Sequence, residues 1–280
     1  MRLRTLPVSV AGVIAGTGFA VMDNSLKIAP AVLCLVFAVL AQVASNFANE
    51  YYDYKAGLDA PGRVGPRRSV TEGDITPQAM KTATFLTLAL ACAVGCSLII
   101  WGGWWLIAVG ITIALGVLAY STGPYPLSHH GLGELAVIAF FGIIPVNFTY
   151  YLQAGGFDWS VFIGSVSIGL MGANVLIVNN YRDLEDDRAV DKHTLAVLLG
   201  RPFCSTLYLV NGCVAVLLMA PVWMVLPVWT MILPGIYLGL HIFVWFRLIS
   251  LRGIRLNPLL GITAVLMLFY SLSFITAAAL

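Results

Sequence analysis

Charged side chains are scarce in this chain. They make up 10% of its 280 residues, whereas soluble domains carry about 25%. Hydrophobic residues make up 60%, and the mean hydropathy is +0.91. This balance excludes a soluble domain, a disordered chain and a nucleic-acid-binding protein. It predicts an integral membrane protein surrounded by the lipid bilayer, with no obligate protein partner evident in the sequence.

Cysteine is also sparse, and its placement argues against a disulfide framework. All five cysteines lie inside or at the edge of apolar runs. Cys92 and Cys96 would share one helix face, but no histidine or second cysteine pair is spaced to complete a zinc site. We therefore interpret the cysteines as small packing residues rather than as a metal or redox pair.

Runs without Asp, Glu, Lys or Arg predict nine spanning helices, because one span needs about 20 apolar residues. Two long runs each hold two helices, with breaks at Gly102-Gly103 and near Pro227. The first run is expected to be a retained helix, since no small-residue signal cleavage site precedes Asp23. The sequence thus predicts an all-α polytopic membrane protein with a single transmembrane domain over residues 1–280. The predicted apolar runs are 6–22, 28–49, 82–133, 135–157, 159–181, 202–246 and 256–280.

The basic residues are distributed asymmetrically across these nine helices. Of the 15 Lys and Arg residues, only Lys27 falls on the side opposite the N-terminus. Cytoplasmic loops carry the excess of Lys and Arg in membrane proteins. We therefore expect the N-terminus to be cytoplasmic and the C-terminus to lie outside, in a plasma-membrane protein.

The acidic residues cluster in two segments that both follow a helix running towards the predicted cytoplasmic side. Each segment begins with an asparagine four residues before an aspartate: Asn49 with Asp53, and Asn179 with Asp183. A further acid follows in each copy, Asp59 in the first and Asp187 in the second. The two copies cross the membrane in the same direction, so they form a weak parallel repeat.

This spacing places acids and amides on one helix face, because residues i and i+4 are neighbours on a helix surface. Two acidic stripes that face each other repel unless cations lie between them. Carboxylate and amide oxygens suit Mg²⁺, which is usually bound by one or two carboxylates together with substrate phosphates. Basic side chains among the acids would contact phosphate oxygens. The residues therefore predict a magnesium–diphosphate site; the alternative is a pair of ordinary solvated polar loops.

Four stretches of the chain, in order, resemble the intramembrane aromatic prenyltransferases of the UbiA type. Within that family they are most similar to the branch that acts on 1,4-dihydroxy-2-naphthoate in menaquinone synthesis. The stretches are residues 4–7 (RTLP), 49–53 (NEYYD) through 65–69 (GPRRS), 120–127 (YSTGPYPL) with 131–134 (GLGE), and 179–183 (NNYRD) through 192–200 (KHTLAVLLG).

The resemblance implies a helical fold around a central cavity that opens to the cytoplasmic side. It also implies transfer of a polyprenyl group from an allylic diphosphate to 1,4-dihydroxy-2-naphthoate, with loss of CO₂. Mg²⁺, expected as two ions, and basic side chains would stabilise the leaving diphosphate. Tyr120 and Tyr125 would line the pocket of the allyl cation; alternatively, they are interfacial aromatic residues.

Candidate site residues follow from the motifs and the resemblance together. The expected catalytic residues are Asp53, Asp183, Asp187 and Tyr120. The expected metal ligands are Asn49, Asp53, Asp59, Asp183 and Asp187. The expected diphosphate-binding residues are Lys55, Arg67, Arg68, Arg182 and Lys192. The expected acceptor-binding residues are Arg4, Asn46, Tyr125, Asn174 and Asn179.

Three other functions fit part of the sequence. A secondary transporter would place charged residues near the membrane midplane, where this chain has none, and would often show an inverted repeat. A lipid-phosphate transferase would also use acids and Mg²⁺, but the paired Asn-x-x-x-Asp motif does not favour it. A sister prenyltransferase would act on 4-hydroxybenzoate, homogentisate or haem.

Overall fold

The computed structural model describes residues 5–58 and 67–280, and Arg4 and Asp59 lie outside these ranges. The described part is nearly all helical, as predicted, and contains nine long helices. Seven of these are long and apolar enough to cross a membrane, and two shorter apolar helices complete the set. The helices are α1 (Leu6–Met22), α2 (Ile28–Lys55), α3 (Pro77–Gly102), α4 (Leu106–Ala119), α5 (Gly133–Ala154), α6 (Trp159–Ala189), α7 (Leu195–Met224), α8 (Ile232–Ser250) and α9 (Asn257–Ala278).

The helix breaks follow local backbone chemistry. Gly103 turns the chain between α3 and α4 with a φ of 83°, as the sequence predicted. The helix α4 ends earlier than the predicted span, at Ala119. Gly123, with a φ of 101°, and two following prolines explain the early end, because proline cannot donate the next helical hydrogen bond. The segment between α4 and α5 is therefore free to fold towards the acidic motifs.

The two motif-bearing helices extend beyond their apolar runs. Helix α2 continues to Lys55 and is followed by Gly57, whose φ is 71°. Helix α6 is capped at its N-terminus by Asp158, whose side chain accepts hydrogen bonds from the Ser160 and Val161 amides. The helix continues to Ala189. The Asn-x-x-x-Asp motif of each copy therefore lies on a continuous helix, and the helix geometry determines the direction of each side chain.

Helix α6 lies at the centre of the bundle. In its most apolar 18-residue window 72% of the residues are buried, against 17% for α3. The backbone of α5 approaches it closely: a Cβ at Gly142 would lie 2.4 Å from the Gly169 Cα. Gly142 belongs to a π-helical segment, Ile138–Ile143, inside α5. Small residues permit such close packing of membrane helices, and here they bring the start of α5 against the polar end of α6.

Candidate active site

A polar cavity of about 130 Å³ lies where α1, α2, α5 and α6 meet the loops that follow α2 and α6. Both copies of the acidic motif contribute to its wall. The first copy contributes Asn49 and Arg68, and the second contributes Asn179 and Lys192. The fold therefore brings the two copies of the repeat together around one cavity.

Among the described acids of the first copy, Asp53 is the most enclosed, with 1% of its surface exposed. Arg68 Nη2 donates to its Oδ2 over 3.2 Å, and His129 Nε2 lies 3.4 Å from its Oδ1. Arg68 Nη2 also lies 3.2 Å from Asn49 Oδ1 and donates to it. A buried carboxylate requires such partners, because its desolvation is otherwise costly. Arg68 is therefore the cation that neutralises the buried aspartate of the first copy.

Lys192 joins the two copies. Its Nζ lies 4.0 Å from Asp53 Oδ2 and 3.9 Å from Asp187 Oδ1. These separations leave room for an anion's oxygens to approach the same ammonium group. The side chain of Lys192 therefore stands between an acid from α2 and an acid from α6.

Arg182 and Asp183 form a bidentate pair at the end of α6. Arg182 Nε and Nη2 donate to the two Asp183 carboxylate oxygens over 2.6 and 2.7 Å. Arg182 also donates to Asn179 Oδ1 over 2.9 Å and to Asn257 Oδ1 over 3.0 Å. Bidentate arginine–carboxylate pairs fix the geometry of both groups. Arg182 therefore orients Asp183 and Asn179 in this arrangement, in addition to any role towards phosphate.

The loop between α4 and α5 forms part of the cavity wall. Asn49 Nδ2 donates to Ser121 Oγ over 3.1 Å, and the Ser128 amide donates to the Tyr120 carbonyl over 3.0 Å. The His193 amide donates to the His129 carbonyl over 3.1 Å. These bonds attach the loop to both acidic motifs and place the His129 ring beside Asp53.

An apolar groove of about 270 Å³ adjoins the polar cavity. Phe37, Leu88, Val117 and Phe140 are among its lining residues. Gln42, Ser45 and Tyr120 line both the groove and the polar cavity. The site can therefore hold an amphipathic molecule, with a charged head in the polar cavity and a hydrocarbon chain in the groove. Tyr120 lies where the two parts meet.

Three predicted site residues point away from the polar cavity. Lys55 is exposed, and Arg67 pairs with the exposed Asp74 over 2.8 Å. Tyr125 is 55% exposed and stacks on His130. Lys55 and Arg67 were candidates because they are basic residues among the acids, but the helix end and the turn point their side chains away.

Asn174, a predicted acceptor-binding residue, lies between α6 and α7. Its Nδ2 donates to the Tyr208 carbonyl over 3.1 Å, and its Oδ1 accepts from Asn211 over 3.2 Å. It therefore joins α6 to α7 instead of lining the polar cavity. By contrast, Asn46 lines the cavity and lies 3.3 Å from Gln42 Nε2.

Sequence reasoning missed two residues of the site, His129 and Glu134. Glu134 lines the polar cavity and accepts from Asn180 Nδ2 over 2.9 Å. A signal for it existed, since Glu134 is the only acid in the sequence between Asp74 and Asp158. His129 offered no spacing signal, because only the folded loop brings it to Asp53.

The donor set matches a hard divalent cation. The carboxylates of Asp53 and Asp187 and the amide oxygens of Asn49 and Asn179 are the ligand types that Mg²⁺ prefers. Within residues 5–58 and 67–280, no three His, Cys, Asp or Glu side chains are grouped closely enough to hold a metal by themselves. The acids here are neutralised by Arg68, Arg182 and Lys192.

Comparisons with known proteins identify the family of this chain. The model of the UbiA prenyltransferase family matches residues 9–274. The chain is 41% identical over 207 residues to 1,4-dihydroxy-2-naphthoate octaprenyltransferase of Mycobacterium tuberculosis, covering 74% of this chain and 70% of that protein. It is 37% identical over 207 residues to the Escherichia coli protein of the same name, covering 71% of this chain and 67% of that protein.

Solved structures share the fold. A UbiA homolog from Aeropyrum pernix K1 superposes with a TM-score of 0.75 at 15% identity, covering 99% of this chain and 98% of that one. A UbiA homolog from Archaeoglobus fulgidus, bound to DMAPP and Mg²⁺, gives 0.66 at 16% identity and covers 98% of each chain. With the family model matching nearly the whole chain, this protein belongs to the UbiA prenyltransferase family.

Proposed function

We propose that this protein transfers a polyprenyl group from an allylic polyprenyl diphosphate to 1,4-dihydroxy-2-naphthoate, with loss of CO₂. The product is a demethylmenaquinol of menaquinone biosynthesis. The observation that carries the proposal is the joined pair of cavities. Amide and cationic side chains from both motif copies line a polar cavity, and Tyr120 lines both this cavity and an apolar groove suited to a polyprenyl chain. The acceptor follows from the names of the 41% and 37% identical relatives.

The diphosphate is assigned to the polar cavity. Arg68 and Lys192 both line it, and each also contacts Asp53. Their cationic groups would bind the phosphate oxygens and stabilise the charge that develops as the allylic C–O bond breaks. Arg182 would hold Asp183 and Asn179 in place for the same head group.

Magnesium is proposed as the cofactor, with two ions. Asn49, Asp53, Asp183 and Asp187 would hold it, and Asp59, outside the described residues, is proposed as a further ligand. The bound metal supplies Lewis-acid stabilisation of the diphosphate. The Archaeoglobus fulgidus homolog bound to DMAPP and Mg²⁺ supports this assignment.

Tyr120 is proposed to face the allyl cation. It stands between the apolar groove and the polar cavity, where the reacting carbon of a prenyl diphosphate would lie. An aromatic ring stabilises a nearby cation through its quadrupole. The surrounding apolar wall would exclude water, which would otherwise capture the cation.

The acceptor is proposed to enter beside the amides of α2 and α6. Asn46 and Asn179 line the polar cavity and can donate hydrogen bonds to the acceptor's oxygens. Arg4, outside the described residues, is proposed to bind the acceptor carboxylate. Attack by the carboxyl-bearing carbon leaves no hydrogen there, so loss of CO₂ restores the aromatic ring.

We also propose a plasma-membrane location and a single transmembrane domain over residues 1–280. The N-terminus and the polar cavity would face the cytoplasm, and the C-terminus would lie outside. The distribution of Lys and Arg between the predicted loops supports this orientation.

The test uses purified protein, Mg²⁺, a polyprenyl diphosphate and a panel of aromatic acids, with product mass as the readout. We expect prenylation of 1,4-dihydroxy-2-naphthoate and release of label from its carboxylate carbon. Retention of that label in the product would reject the mechanism. Preferred turnover of 4-hydroxybenzoate would instead assign the protein to a sister reaction.

A further inference from the structure

Glu134 is a buried acid with one unsatisfied oxygen. It lies in the first turn of α5 with 6% of its surface exposed. Its Oε1 accepts from Asn180 Nδ2 over 2.9 Å. Its Oε2 has no hydrogen-bond partner among residues 5–58 and 67–280, and no cation of that part pairs with it. Burying such a group without a partner is unfavourable, so this oxygen is suited to a ligand.

Two further buried oxygens line the same cavity as Glu134. Ser128 is 8% exposed and Thr194 is 2% exposed, and both hydroxyl oxygens lack partners within the described residues. One belongs to the loop before α5 and the other to the start of α7. Three unsatisfied oxygens in one small cavity indicate that the cavity binds a polar molecule.

The position of Glu134 relates it to the reacting centre. A Cβ at the adjacent Gly133 would lie 3.7 Å from the Tyr120 hydroxyl, so Tyr120 reaches to the start of α5. Tyr120 is one of the residues that line both the groove and the polar cavity. Glu134 therefore lies near the junction at which a prenyl carbon and an acceptor ring would meet.

The negative charge of a Glu134 carboxylate favours a hydroxyl group over an anionic group as its ligand. A carboxylate repels a diphosphate and also repels the carboxylate of an aromatic acid. It attracts a hydroxyl group, which can donate to Oε2. We propose that Glu134 binds the acceptor hydroxyl adjacent to the carboxyl-bearing carbon and accepts its proton. This inference rests on the proposed function and adds a general base to it, where the sequence showed none within the spans.

The acceptor's O–H proton moves to Glu134, and the electron pair of that O–H bond forms a C=O bond to the ring. The carboxyl-bearing ring carbon then forms a bond to the prenyl carbon, while the C–O bond between the prenyl carbon and the diphosphate breaks. The diphosphate leaves with that bonding pair. The resulting β-keto acid loses CO₂, and the electrons of the broken C–C bond regenerate the aromatic ring and an oxyanion. Glu134 returns its proton to this oxygen and is again a carboxylate.

The experiment compares Glu134→Gln with Glu50→Gln. Glu50 is equally buried but accepts from the Val70 amide, and glutamine keeps that acceptor. We expect Glu134→Gln to lower kcat/KM for the dihydroxynaphthoate by about 100-fold, as loss of a general base does. Affinity for the prenyl diphosphate should change by less than about twofold, and Glu50→Gln should retain wild-type kinetics.

A second measurement changes the substrate. In 1-methoxy-4-hydroxy-2-naphthoate the transferable proton is replaced by a methyl group. The wild-type protein should prefer the dihydroxy acid over this analogue by about 100-fold, and Glu134→Gln should lose most of that preference.

Three outcomes would overturn the inference. They are wild-type turnover of the methoxy analogue, near-normal turnover by Glu134→Gln, and an equal loss of prenyl diphosphate affinity in that variant. Failure of the wild-type protein to prenylate any aromatic hydroxy acid would instead reject the proposed function, so the two failures are distinguishable.

Discussion

Lys192 places its ammonium nitrogen 4.0 Å from Asp53 Oδ2, although the two residues belong to different copies of the acidic motif. The same nitrogen lies 3.9 Å from Asp187 Oδ1. One cation therefore balances acids of α2 and α6 where both helices reach the polar cavity. An anion that enters this cavity would meet Lys192 directly, and the acids would then require another cation.

The first prediction concerns Lys192. Lys192→Ala should raise the apparent KM for prenyl diphosphate by about tenfold or more, because a charge-assisted contact is lost. The KM for the aromatic acceptor should change little. The control is Lys81→Ala on the exposed face of α3, with steady-state kinetics for both substrates as the measurement. An effect limited to the acceptor would contradict the assignment of Lys192 to the diphosphate.

The second prediction concerns His129, which sequence reasoning did not identify. His129→Ala should lower kcat by about tenfold, because Asp53 loses a partner that orients its carboxylate. His193→Ala serves as the control, since its side chain is half exposed and its backbone bond to His129 is kept. Equal turnover in the two variants would show that the His129 ring does not position Asp53.

The third prediction tests the apolar groove. Gly110 lines the groove, and no atom lies within 4 Å of a Cβ added there. Gly110→Phe should therefore fill the groove without distorting α4. We expect turnover of long polyprenyl diphosphates to fall by about tenfold relative to geranyl diphosphate, as lost apolar burial weakens binding of the chain.

Gly239→Phe is the matched control for this experiment. Its Cβ also meets open space, but Gly239 lies on α8, away from the groove. Kinetics with a series of donor lengths should be unchanged in this variant. If Gly110→Phe retains the wild-type length preference, the groove does not hold the prenyl chain.

The fourth prediction concerns membrane orientation. In a background without the five native cysteines, Gly156→Cys in the α5–α6 loop should react with an impermeant thiol reagent applied to intact cells. Glu72→Cys in the α2–α3 loop should react only after permeabilisation, because the basic loops are expected in the cytoplasm. The reverse labelling pattern would invert the proposed topology.

The sequence determined the membrane class, the nine helices and the two copies of the acidic motif. Apolar run length sets the number of spans, because the bilayer core has a fixed thickness. The i+4 spacing placed Asn179, Asp183 and Asp187 on one stripe, and α6 indeed continues through all three. Both properties are local along the chain and can be read from the order of residues.

Only the tertiary structure decided which polar residues meet. Asn174 and Asn179 look alike in the sequence, yet Asn174 joins α6 to α7 and Asn179 lines the cavity. His129 reaches Asp53, and Glu134 reaches Asn180, through contacts between segments far apart in the chain. The physical reason is that helix rotation and loop path depend on the packing of all neighbouring helices. Local spacing fixes the face of a helix on which a side chain lies, but packing fixes what that face meets.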